Sequence, residues 1–67
     1  MERLTKGEHD VLALLGAGLS NAEIGAELFL MEGTVKDHMN AILSKLGVRN
    51  RVEAAIAAHE AGLTGRP

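Results

Sequence analysis

The sequence contains no cysteine, tryptophan or tyrosine, and only one phenylalanine, Phe29, and one proline, Pro67. Without cysteine there is no disulfide framework, no thiolate zinc site and no thiol nucleophile, and the composition suits a reducing compartment. With a single aromatic ring, any core has to be assembled from Leu, Ile, Val, Met and Ala. The β-branched residues are scattered (Val11, Ile24, Val35, Ile42, Val48, Val52, Ile56 and three threonines) and never gather into alternating runs, so no strands are expected. Long apolar runs are also missing: nothing approaches the roughly 18 residues that span a bilayer. Arg3, Lys6 and Glu8 do not precede a signal-like hydrophobic stretch either. The expectation is a soluble, cytoplasmic, all-α chain with no membrane association. At 67 residues it has room for one domain, near the size at which an apolar core alone sustains a fold, so oligomerisation is the available supplement.

An excess of positive charge is lacking as well. The formal net charge is −2, which taken alone disfavours a polyanionic partner. The distribution reverses that inference. Residues 1–32 hold Arg3 and Lys6 against Glu2, Glu8, Asp10, Glu23, Glu27 and Glu32. Residues 33–67 hold Lys36, Lys45, Arg49, Arg51 and Arg66 against Asp37, Glu53 and Glu60. A small domain with an acidic and a basic half is oriented by the field of a polyanion even when its total charge is negative.

Capping patterns and periodicity divide the chain into four helices, about 6–16, 20–28, 32–46 and 50–61, with a frayed tail at 62–67. Thr5-Lys6-Gly7-Glu8 and Ser20-Asn21-Ala22-Glu23 have the capping-box form, in which a hydroxyl and a carboxylate satisfy exposed N–H groups at a helix start. Val11, Leu12, Leu14 and Leu15 supply the buried stripe of the first helix, and Gly16 and Gly18 give it places to stop. The second is short, with Ile24 and Leu28 on its apolar edge. Gly25 in its middle signals the close approach of another backbone. Phe29-Leu30-Met31 breaks the pattern, and Gly47 ends the third helix. There Val35, Met39, Ile42 and Leu46 form one inward stripe at helical spacing. At ~100° per residue, Lys36, Asp37, Asn40 and Ser44 share a separate arc. Asn50-Arg51-Val52-Glu53 opens a fourth helix that is mostly alanine, and its smooth face, Ala54, Ala57, Ala58 and Ala61, is expected at a helix–helix contact with a second copy.

A short helix, a tight turn and a longer helix with a polar outward row make the arrangement that sets the second of the two helices in the DNA major groove. Many small helical domains share that outline, but the residue string is more specific. Leu4-Thr5, Glu8, Val11-Leu12, Gly18-Leu19-Ser20-Asn21, Glu23-Ile24 and Leu28-Phe29-Leu30 are followed by Glu32-Gly33-Thr34-Val35-Lys36 and His38. Ile42-Leu43, Lys45-Leu46-Gly47-Val48, Arg49-Asn50-Arg51 and Glu53-Ala54 complete the series. In this order and spacing the chain resembles the LuxR-type (GerE-type) helix-turn-helix domain, the C-terminal output domain of bacterial response regulators and similar transcription factors. The resemblance implies a single four-helix domain over 1–67 that binds double-stranded DNA sequence-specifically as a homodimer and regulates transcription, with helix 32–46 in the major groove. Carried over by position, the base-contacting residues are Lys36, Asp37 and Asn40, and the phosphate-contacting residues are Thr34, Lys45, Arg49, Asn50 and Arg51. The fourth helix would support dimerisation. A receiver or sensor domain upstream in the regulator, as in two-component systems, is also implied. The chain departs from the family pattern in three places. Met31 replaces the usual serine cap, Gly25 the usual alanine, and Lys6-Gly7 with His9-Asp10 a more basic opening.

Other chemistries find little support. His9, His38 and His59 lie on different helices without the i, i+4 spacing of a helical metal site, so neither metal nor cofactor is expected. Asp10 and Asp37 each adjoin a histidine, but helix neighbours point ~100° apart and assemble no acid–base pair, so the chain is not expected to be an enzyme. His38 is expected at the edge of the core. The competing reading is a protein-interaction module that keeps the helix-turn-helix shape with weak DNA affinity, as the net charge and Asp37 would favour.

Overall fold

The computed structural model describes residues 3–63. Glu2, Arg66 and the remainder of the expected tail lie outside the described residues. Four helices form: α1 (Lys6–Gly16), α2 (Asn21–Leu28), α3 (Glu32–Leu46) and α4 (Arg51–Glu60), with no strand among the described residues. Thr5 and Ser20 cap α1 and α2 with complete capping boxes. Asn50 caps α4 by accepting from the Glu53 N–H at 3.0 Å. Met31 begins α3 with no side-chain hydrogen bond, so the longest helix alone starts without a polar cap.

α1 is the hub, packing on α4, α3 and α2, while α2 leans on α3. Val11, Leu12, Leu14 and Leu15 of α1 meet Ile24, Val35, Met39 and Ile42 in one core, with Leu4, Leu28, Leu30, Leu46 and Val48 packed around it. The third-helix stripe therefore faces inward as its spacing predicts.

α4 is turned the other way from the sequence-based expectation. Ala54 and Ala58 are fully buried in this core and cannot touch a second copy. A methyl group at Gly16 would lie 2.9 Å from the Ala58 Cβ and 2.6 Å from the Leu63 carbonyl, so the small residues bring α4 close to α1. Two of the four alanines expected at a second copy are thus used inside the domain. Ala57 is half-buried and Ala61 is the exposed C-cap, while the larger apolar residues of the helix, Val52 and Ile56, are 64% and 53% exposed. The start of the expected frayed tail is also ordered: the Leu63 N–H donates to the Ala58 carbonyl at 2.7 Å and its side chain packs on the core.

Candidate functional site

The turn between α2 and α3 positions the outward face. Phe29 takes a left-handed conformation (φ 58°), and the Leu30 N–H then donates to the Gly25 carbonyl at 2.8 Å. A Cβ at Gly25 would stand 2.7 Å from the Leu30 carbonyl oxygen, which is the close backbone approach its place in α2 implied. Leu30 turns toward the core while Phe29 and Met31 project into solvent, 95% and 80% exposed. α3 leaves this turn with its inward stripe anchored at Val35, Met39 and Ile42. His38 lies half-buried on the flank. Its ring stands 3.5 Å from where a methyl group at Gly7 would be.

On the opposite side Gly33, Thr34, Lys36, Asp37, Asn40 and Ser44 are all exposed. Lys36, Asp37 and Asn40 come together on this face as the ~100° rule predicts. Among the described residues none of the three is held by a side-chain hydrogen bond or ion pair. A lysine, a carboxylate and a carboxamide left without partners on one face form a surface that can exchange hydrogen bonds with a ligand's polar edge.

The residues expected at phosphates divide. Thr34 is exposed beside the open start of α3. Arg49 is exposed and reaches Glu53 at only 3.7 Å, a surface pair that holds a side chain loosely. Arg51 spans two elements, donating to Asn21 Oδ1 at 3.1 Å and to the Leu19 carbonyl at 3.4 Å, so one basic group ties the start of α4 to the start of α2. The Asn50 carboxamide oxygen is already engaged as a helix cap. Lys45 corrects the expectation outright. Its ammonium donates to Glu8 Oε1 at 2.7 Å and to the Arg3 carbonyl at 3.4 Å, and its side chain is only 17% exposed. It clamps α3 to α1 and is not displayed to a phosphate.

Glu8 is the residue that sequence reasoning undervalued. Its Oε1 accepts from Lys45 and from the Thr5 backbone N–H at 2.9 Å. The Lys45 hydrogen bond, and after it the Thr5 N–H, hold its carboxyl below the ordinary value of 4.5 against the opposing effect of burial. The capping-box spacing announced the Thr5 contact. Nothing local announced Lys45, which comes from the far end of another helix.

Comparison with known proteins places these features in a family. Residues 2–58 match the family model GerE, described as bacterial regulatory proteins, luxR family. The chain is 57% identical over 53 residues to the transcriptional regulatory protein LnrK of Bacillus subtilis, covering 79% of this chain and 24% of that protein. It is 44% identical over 57 residues to the DNA-binding transcriptional activator DevR/DosR of Mycobacterium tuberculosis, covering 85% of this chain and 26% of that one. The crystal structure of the response regulator ChrA in a heme-sensing two-component system superposes with a TM-score of 0.82 at 44% identity, covering 94% of this chain and 31% of ChrA. The chain thus spans about a quarter to a third of these relatives.

Proposed function

The chain belongs to the luxR family of bacterial regulatory proteins, and from that premise we propose that it is the DNA-reading domain of a transcription regulator, binding double-stranded DNA as a homodimer with α3 in the major groove. The observation that carries this reading is the exposed, unpartnered row of Lys36, Asp37 and Asn40 on the outer face of a helix presented by a tight turn. The lysine is suited to guanine O6 and N7 and the carboxamide to adenine. Thr34, Arg49 and Arg51 serve the phosphates, Arg51 while it braces α2. Lys45 drops out of that set.

Dimerisation belongs to the outer edge of α4. Val52 and Ile56, one turn apart with His59 following, offer the exposed apolar stripe, extended by Ala61 and the half-buried Ala57. Two copies also double a small set of cationic contacts and impose a fixed half-site spacing. The names of the relatives and the share of their length that is matched support a further receiver or sensor domain in the same regulator. No helix among the described residues is long and apolar enough to cross a membrane, in keeping with a cytoplasmic regulator.

Selection from a random duplex pool, followed by titration of the enriched duplex at several salt concentrations, tests the proposal. A dimer neutralising about 4–6 phosphates gives a slope of log K against log salt of roughly −3.5 to −5.5, with two chains per duplex. A slope near zero, or no enrichment, would favour the protein-interaction reading instead.

A further inference from the structure

Asp37 is out of place on a surface that meets a polyanion, and its surroundings restrict what it can do there. Taking ~100° per residue, it points roughly 160° away from the fully buried Val35, close to the centre of the outer face of α3. On its own ridge the residues one turn before and after are Gly33 and Ala41, and a Cβ added at Gly33 would meet nothing within 4 Å. No cation pairs with its carboxylate among the described residues: Lys36 is left unpaired beside it, Lys45 is held by Glu8, and Arg49 and Arg51 are engaged on α4 and α2. Small neighbours let a ligand approach closely. A side chain as short as aspartate, at the centre of the face, cannot swing to the rim as the lysine can.

An ionised carboxylate only accepts hydrogen bonds. In the major groove the donors are adenine N6 and cytosine N4, whereas guanine offers O6 and N7 and thymine O4 and a methyl group. Adenine N6 is flanked by acceptors on both sides, its own N7 and O4 of the paired thymine. Cytosine N4 has an acceptor only on the side of its guanine partner and a carbon-bound hydrogen on the other. Resting on the DNA-binding reading above, we propose that Asp37 is a specificity-determining residue that fixes one cytosine per half-site through its N4 amino group. Guanine and thymine offer it acceptors or a methyl group, and adenine a donor between two acceptors that repel it, so the same carboxylate that reads the operator weakens binding to unrelated DNA.

Duplexes selected by the unsubstituted chain, by Asp37→Asn and by Asp37→Ala test this directly. The expected consensus for the unsubstituted chain carries cytosine at one position per half-site. Asp37→Asn moves that position to adenine, which a carboxamide pairs with through both N6 and N7, and Asp37→Ala removes the preference there. Replacing that cytosine with N4-methylcytosine, whose methyl group occupies the groove-facing hydrogen's place, lowers the affinity of the unsubstituted chain by roughly tenfold and that of Asp37→Ala far less. An unchanged consensus for Asp37→Ala, or a consensus of the unsubstituted chain in which Asp37→Asn and Asp37→Ala alter only a position other than cytosine, overturns the assignment. Enrichment of no duplex at all by the unsubstituted chain overturns the DNA-binding reading itself, and the assignment with it.

Discussion

The two ends of α3 carry the same residue type to opposite ends. Lys36, in the second turn, is exposed and unpartnered beside Asp37 and Asn40, whereas Lys45, in the last turn, is drawn inward onto Glu8 and the Arg3 carbonyl. The N-terminal half of the helix is a free surface and the C-terminal end is a structural joint. What separates them is the neighbouring element: α1 passes beside the end of α3 and supplies a carboxylate there, while no described residue covers the first turns opposite the core, where Gly33, Lys36 and Asp37 are exposed. A positive charge on the longest helix of the domain is therefore not by itself a ligand contact.

The comparison breaks most sharply at Lys45. Lys45→Met leaves the Glu8 carboxylate in an enclosed site with the Thr5 backbone N–H donating to it, so a clearly lower thermal unfolding midpoint at neutral pH is expected, the largest stability change among these substitutions. The effect has a pH signature. The folded-state pKa of Glu8 is depressed below 4.5, so its contribution is fully present above that value and is lost as the pH falls through the lowered folded value. Without Lys45 the largest cause of the depression is gone and only the Thr5 contribution opposes burial, so the dependence of the midpoint on pH across that acidic window becomes shallower. An unfolding series from neutral pH to below 4 would show a parallel profile for both proteins if Lys45 were a free surface group.

Lys36→Ala addresses the other end. Its side chain is exposed and unpartnered, so the unfolding midpoint should stay unchanged within error, while affinity for the selected duplex falls by roughly 5- to 150-fold, as expected for a lost contact of about 1–3 kcal/mol. If the lysine reads a base, one position of the consensus relaxes; if it holds a phosphate, the salt slope shrinks by about 1 with no change in consensus. An altered midpoint with unaltered binding would invert the roles of the two lysines.

How much of this was legible in the sequence follows from the range of each interaction. The caps at Thr5, Ser20 and Asn50, the inward stripe of α3 and the close approach at Gly25 are written in spacings of three to seven residues or in one glycine, and each is found in the fold. The outward row of Lys36, Asp37 and Asn40 is legible for the same reason. The fate of Lys45 was not, because its partner lies 37 residues away on another helix. The orientation of α4 was not either. Alanine is equally at home under a neighbouring helix or on a smooth outer face, and the packing against α1, with Gly16 close under Ala58, is what shows Ala54 and Ala58 inside and Val52 and Ile56 outside.

The smallest expected effect concerns the start of α3, where the free surface begins. Met31 has the extended conformation of a helix cap (φ −70°, ψ 150°), yet its side chain, 80% exposed, satisfies none of the first N–H groups. A serine at this place would accept from the N–H of Gly33 or Thr34, as Ser20 accepts from Glu23 at the start of α2. Met31→Ser should therefore stabilise the domain by about 0.5–2 kcal/mol. At ~4–8 °C per kcal/mol for a domain of this size, the gain is visible as a rise in the unfolding midpoint. The same substitution closes the positive end of the helix next to Thr34, which the DNA-binding reading assigns to a phosphate. A stabilised variant that binds the selected duplex less tightly would mean that the open start of α3 serves the ligand. A stabilised variant with unchanged affinity would confine the DNA-reading surface to the ridge that begins at Lys36.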